Sequence, residues 1–203
     1  MSEKKFTIQE ILSLGYVYLL ILGVLTDTIY YSFFDINIIE HSDILDILLS
    51  PINILTDHWI IPVAIILFCV LFYFFQAKIA PKLYEKRKRN EAFRQKHNIE
   101  KLDIIYNGKP KLKHLTPIFA LIIFSMFIGF RAGVGRKIQH RMKNNDLTHS
   151  TIIEFQNGEK INSYIIGRTS TYLFYVVQDD NKLTIAPIAQ NIRTITKSKK
   201  VNK

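Results

Sequence analysis

Cysteine and tryptophan are almost absent from this 203-residue chain, which contains one of each. The single cysteine, Cys69, has no partner in the chain, which excludes an intramolecular disulfide framework. The eight glycines form no phosphate-binding loop and no Gly-x-Ser-x-Gly pattern, and the six histidines are scattered rather than placed at metal-ligand spacing. The sequence therefore predicts no catalytic residue, no metal site, no cofactor and no enzyme.

Long apolar runs are abundant, although the mean hydropathy is only +0.11. Residues 11–34 form a run of 24, which as a helix is about 36 Å long and exceeds a hydrocarbon core of roughly 30 Å. Residues 59–80 open with Trp59 and carry aromatic residues near the other end, as helices at a membrane interface do. A third run, 115–130, is shorter and is extended by small residues beyond Arg131. The pattern predicts an α-helical membrane protein with about three transmembrane helices and no cleaved signal peptide.

Charge is distributed unevenly between the two connectors. Residues 35–58 contain five acids and no Lys or Arg, whereas residues 81–114 contain eleven Lys or Arg against four acids. Because basic connectors stay in the cytoplasm, the N-terminus is expected inside and the C-terminus outside. Five basic residues beyond the third run depart from that rule, so a re-entrant third run with a cytoplasmic C-terminus is the alternative.

The C-terminal part changes to short β-rich runs separated by turn residues. Asn157-Gly158 is a strong hairpin signal, and five short strands follow one another between residues 150 and 196. This pattern predicts a small all-β, five-stranded, barrel-like module of the Sm or Src-homology-three type. The predicted organisation has five parts: an N-terminal membrane part (1–80, with spans 11–34 and 59–80 and a short interfacial helix 44–50), a basic cytoplasmic connector (81–114), a third span with a helical extension (115–143), the β-module (150–196) and a basic tail (197–203).

Two charged residues within the apolar runs are candidates for a pore or gate. Asp27 is either a functional carboxylate within the membrane, or it lies at the outer interface because the first span ends just before it. Arg131 either belongs to a ring of arginines at a pore mouth or extends its side chain to the headgroups. Gly129 and Gly133 have the small-x-x-x-small spacing that brings membrane helices together, or they form a flexible joint before the β-module.

The basic connector is the candidate site for an anionic ligand, such as a nucleotide or single-stranded nucleic acid. Arginine matches phosphate geometry, and aromatic rings stack on bases. A solvated helix with ordinary ion pairs, or a helix that binds lipid headgroups, is the alternative. The candidate residues are Lys82, Lys86, Arg87, Lys88, Arg89, Phe93 and Arg94.

The three apolar runs joined to a module from residue 151 onward resemble, in layout, the small membrane effectors of bacterial anti-phage defence systems. That resemblance implies a homo-oligomer in the bacterial inner membrane that opens or disturbs the bilayer when its cytoplasmic part gains or loses an anionic ligand. The rival hypothesis is a non-conducting membrane anchor or assembly subunit whose β-module docks a protein partner. A transporter accessory subunit is a third class.

Overall fold

The computed structural model describes residues 7–57, 59–106, 112–178 and 180–197. Part of the predicted connector (107–111) and most of the predicted basic tail (198–203) lie outside the described residues. A 3₁₀ turn, Ile38–His41, follows the first helix, and a π-helical turn, Phe75–Ile79, joins the third helix to the fourth. The α-helices are α1 (Ile8–Ser32), α2 (Ile44–Asp57), α3 (Ile60–Phe74), α4 (Ala80–Lys88), α5 (Glu91–Lys96), α6 (Ile99–Tyr106) and α7 (Leu112–Lys143).

Three helical segments are long and apolar enough to cross a membrane, by length and composition: Ile8–Ser32, Ile60–Lys88 and Thr116–Lys143. This confirms the prediction of three long apolar helices. The first begins at a capping box, in which the N–H of Glu10 donates to the Thr7 hydroxyl and the Thr7 N–H donates to the Glu10 carboxylate. Many large apolar side chains of the first two segments are exposed, among them Ile8 and Leu12 in α1 and Ile66 and Leu71 in α3, and Leu121 is exposed in α7.

The chain divides into two compact units, Met1–Asn53 with Phe127–Lys203, and Ile54–Met126. The first unit contains α1, the beginning of α2, the second half of α7 and the whole β-sheet. The second unit contains α3 to α6 and the first half of α7. In the second unit, α4 and α6 are joined by the buried Tyr84, whose hydroxyl donates to the Asp103 carboxylate at 2.8 Å.

Five antiparallel strands follow α7, as predicted. The hairpin between the first two has Gly158 at φ +85°, a backbone conformation that glycine adopts without strain. The strand order is β4-β3-β2-β1-β5, and no hydrogen-bonded pairing joins β4 to β5 in the described residues, so the sheet is open and closure into a barrel is not shown. The strands are β1 (Thr151–Phe155), β2 (Lys160–Arg168), β3 (Tyr172–Val177), β4 (Asp180–Pro187) and β5 (Ile192–Lys197).

Both faces of the sheet are apolar, because β3 alternates between two buried clusters. Phe174 and Val176 pack with Tyr30, Tyr31 and Phe34 at the end of α1. On the opposite face, a second cluster forms within the sheet from Ile153, Leu173, Tyr175 and Ala186. The first face therefore fixes the sheet on the helices, and the second face holds the strands together.

The helix predicted over residues 44–50 extends to Asp57 and contains Pro51. Proline has no N–H, so it cannot donate to the carbonyl of Ile47 four residues earlier. The backbone of α1 covers that carbonyl at Gly23, where a Cβ would overlap the Ile47 oxygen. The carbonyl that the proline leaves without an intrahelical donor is thus packed against the backbone of α1.

Gly23→Ala is expected to destabilise the protein, and Gly15→Ala on the same helix is the matched control. A helical glycine normally gains about 0.5–1 kcal/mol on replacement by alanine. A Cβ at Gly15 meets open space, whereas one at Gly23 displaces α2, and overpacking costs about 1–3 kcal/mol. Thermal unfolding in detergent should give a lower midpoint for Gly23→Ala and an equal or higher one for Gly15→Ala. Equal midpoints for the two variants would contradict the close contact of α1 with α2.

Candidate functional site

Asp27 of α1 and Arg131 of α7 form a buried ion pair. A guanidinium nitrogen of Arg131 lies 2.5 Å from Oδ1 of Asp27, and the two side chains are 15% and 10% exposed. The Ser50 hydroxyl of α2 donates to the same carboxylate oxygen at 2.7 Å. Three helices therefore converge on one carboxylate, whose negative charge is compensated by one cation and one neutral donor.

The guanidinium of Arg131 also lies over an aromatic ring. Its Cζ is 3.9 Å from the ring centroid of Tyr30, which is the distance of a cation–π contact. Its Nε is buried and has no hydrogen-bond partner in the described part of the chain. The cation is thus held by Asp27 on one side and by the face of Tyr30 on another.

Helical spacing explains why these side chains meet. On α1, Gly23, Asp27 and Tyr30 recur at intervals of three or four residues and so lie on one face, and Phe34 follows in the turn after the helix. On α7, Phe127, Arg131 and Gly135 do the same, and all of these residues except Arg131 are buried. A Cβ at Gly135 would overlap the ring of Phe33, so the small residue allows α1 and α7 to approach closely next to the ion pair.

Tyr30 and Tyr31 connect the ion pair to the sheet. The Tyr30 hydroxyl donates to the carbonyl of Ile166 at 2.7 Å. Gly167 beside it has no side chain, and a Cβ there would overlap the Tyr31 hydroxyl. The register of β2 against β3 shifts between Ile165 and Gly167, so an irregular point of the sheet accepts both tyrosines.

A second contact holds the β2–β3 turn on the start of α2. The N–H of Ser170 donates to Asp46 at 3.0 Å, and its hydroxyl donates to Asp46 at 2.8 Å and to Asp43 at 3.3 Å. Asp46 also accepts from the N–H of Asp43 at 3.2 Å. Two of the five carboxylates of the acidic connector, those of Asp43 and Asp46, therefore bind the β-module.

Comparison of the chain with protein-family models, with curated proteins and with solved structures found no match. Function is therefore inferred from this geometry.

The residues predicted to bind an anion are divided between exposed and internal positions in the second unit. The amine of Lys88 lies 2.7 Å from Asp103, and it is half-buried. Phe93 is half-buried and stacks on His97 at a ring distance of 4.4 Å. The other five are exposed: Lys82, Lys86, Arg87, Arg89 and Arg94. Lys88 thus forms an ion pair within the chain, whereas the side chains of the five exposed cations remain accessible to a ligand.

Gly129 and Gly133 lie on the exposed side of α7, away from Arg131 of the ion pair. A Cβ at either position meets no atom within 4 Å. The structure therefore does not bring these glycines together with Asp27 and Arg131.

Asp27 and Arg131 were each predicted from the sequence as candidates for a pore or gate, and their pairing was not predicted. It also missed Ser50, Tyr30 and Tyr31. The available signal was spacing: Gly23, Asp27, Tyr30 and Phe34 share a face of the first apolar run, and a polar residue on such a face requires a partner.

Neutralising one partner of the ion pair is expected to be costly. Asp27→Asn and Arg131→Gln should each lower the free energy of unfolding by about 3–5 kcal/mol, because the remaining charge stays buried without its counter-ion. The double variant should lose less than the sum of the two. Arg193→Gln is the control, because Arg193 pairs with Glu154 at 3.3 Å but is 63% exposed, and exposed pairs contribute about 0–1 kcal/mol. Additive losses in chemical denaturation would contradict direct coupling of the two charges.

Proposed function

We propose that this chain is an integral membrane protein that crosses a bacterial inner membrane three times and holds its β-module at the membrane surface as a non-conducting anchor or assembly subunit. The observation that carries this proposal is the Asp27–Arg131 pair, joined to the sheet through Tyr30. Because α1, the second half of α7 and the sheet share this buried network, we expect them to move as one body. Such a body suits a protein that presents a rigid module to a partner.

Contacts along α1 and α7 support an odd number of crossings. Asp27 meets Arg131, the carbonyl of Tyr30 lies near Gly135, and the carbonyl of Phe33 accepts from Gln139 at 2.6 Å. Residue numbers increase together on both helices, so both run in the same direction and end at the sheet. If both cross the membrane, the chain must cross back between them, and Ile60–Lys88 is long and apolar enough to do so. The N-terminus and the β-module then lie on opposite sides.

The exposed side of α2 supports a position at the membrane surface. Ile47 and Ile54 are buried, whereas Leu45, Leu49 and Ile52 are exposed. A helix with apolar residues on an exposed face is stabilised where that face enters the edge of the hydrocarbon.

The open sheet supports a protein partner for the β-module. β4 and β5 are its edges, and edge strands carry N–H and C=O groups that can pair with an added strand. Each edge also carries an exposed isoleucine, Ile185 on β4 and Ile195 on β5.

A second candidate is the homo-oligomeric, pore-forming or membrane-perturbing effector that the resemblance to anti-phage proteins implies. Two observations favour it. Lys82, Lys86 and Arg89 are exposed at helical spacing from α4 onward, and this face suits an anionic ligand such as a nucleotide or oligonucleotide. Gly129 faces open space on α7, where a second copy could pack.

Cysteine accessibility tests the three crossings. In a Cys69→Ser background, Gln156→Cys places a thiol on the exposed end of the β-module, and Lys86→Cys places one on the exposed face of α4. A membrane-impermeant maleimide should label position 156 in intact cells whose outer membrane has been made permeable, and position 86 only after lysis. Labelling of both positions, or of neither, before lysis would contradict an odd number of crossings.

Electrical recording distinguishes the two candidates. The anchor predicts no current steps from purified protein in planar bilayers, with or without oligonucleotide. The effector predicts discrete steps that disappear in Gly129→Ile, because a branched side chain keeps helix backbones apart. Discrete steps in the wild-type protein would replace the anchor with the effector as the function.

A further inference from the structure

An open cavity of about 410 Å³ lies along the exposed side of α7. Its lining includes a residue with no side chain, Gly133, whose missing Cβ leaves open space. The residues that line it are Gly133, Arg136, Lys137, Gln139, His140 and Lys143.

The cavity is strongly cationic. Arg136, Lys137 and Lys143 are exposed, and none of them forms an ion pair in the described ranges. None of the described acidic residues lines the cavity. Gln139 is anchored to α1 through its bond to the Phe33 carbonyl, and Arg141 is paired with Asp146 at 3.5 Å. Three cations that form no ion pair in the described ranges therefore lie on one side of α7, and together they suit an anionic ligand.

The position of the cavity along α7 indicates where that anion is found. The long apolar stretch of α7 ends at Phe130, and the cavity begins one turn later at Gly133. If α7 crosses a membrane as proposed above, the cavity lies at the depth of the headgroups in the leaflet on the module side. Basic side chains at that depth attract anionic lipid.

We infer that this cavity binds the phosphate of an anionic phospholipid headgroup. Arg136 and Lys137 donate to the phosphate oxygens, and the gap at Gly133 admits the glycerol backbone next to the apolar part of α7. A second copy of the chain fits this face less well, because two copies would bring Arg136 and Lys137 close to like charges. The bound lipid also accounts for the run of basic residues beyond the third apolar helix, which departs from the positive-inside rule.

The test measures binding of three probes to the protein in neutral detergent by native mass spectrometry. The probes are short-chain phosphatidylglycerol, short-chain phosphatidylcholine and free glycerol phosphate. Wild type is expected to bind phosphatidylglycerol most tightly. Arg136→Gln with Lys137→Gln should reduce that preference about twenty-five-fold, because each basic residue near an anionic surface contributes roughly fivefold. Gly133→Leu keeps the charge but fills the cavity, so it should reduce binding as well.

Arg168→Gln is the control, because Arg168 is exposed on β2, outside the cavity. Equal loss in this control, unchanged binding in Gly133→Leu, or equal binding of the two lipids by wild type would overturn the inference. Tight binding of glycerol phosphate would overturn the lipid as the source of the phosphate, and dimer formation that Gly133→Leu abolishes would assign the face to a second copy. Resistance of each variant to alkaline extraction from membranes is measured in parallel. Extraction of the wild-type protein at alkaline pH would instead contradict the proposed function as a protein with three membrane spans.

Discussion

The structure of the first unit depends on the ion pair between Asp27 and Arg131. Either charge alone inside an apolar helix is unfavourable, because a low-dielectric surrounding gives little compensation for lost hydration. Together they are tolerated only at contact distance and with further polar partners. Ser50 and the ring of Tyr30 provide those partners. The requirement for contact fixes the relative position of α1, α2 and α7 within this unit.

The sheet and the end of α1 stabilise each other, because a small structural unit buries little apolar surface by itself. A five-stranded sheet of this size buries little surface of its own and is therefore only marginally stable alone. One of its faces is closed by its own cluster around Leu173, while Phe174 and Val176 on the other face are covered by the aromatic end of α1. The tyrosines that cover this face also contact Arg131 and the Ile166 carbonyl. Packing of the module and pairing of the charges are therefore formed by the same residues.

Local patterns predicted the parts of this fold that depend on local spacing. Three long apolar runs gave three long helices, and alternating runs with an Asn-Gly turn gave five antiparallel strands. The ion pair joins residues 104 positions apart, so no window of sequence contains both partners. The same limit applies to Lys88, which was predicted to bind a ligand although α6 brings Asp103 next to it. Whether five strands close into a barrel or remain an open sheet also depends on the curvature of the sheet, which the residue pattern of single strands does not determine.

The energetics of the pair bear on the choice between an anchor and a gated effector. A gate requires an element with two arrangements of similar free energy, and changing its populations from 1:99 to 99:1 takes about 5.5 kcal/mol of differential binding. Separating Asp27 from Arg131 leaves two buried charges and an unpaired Ser50. The free-energy cost of that separation is comparable to the whole differential binding free energy that such a gate requires. A ligand on the exposed cations of α4 acts in the other unit of the chain. A movement that keeps α1, the second half of α7 and the sheet together avoids this cost, and it is the movement that a membrane-anchored docking module allows.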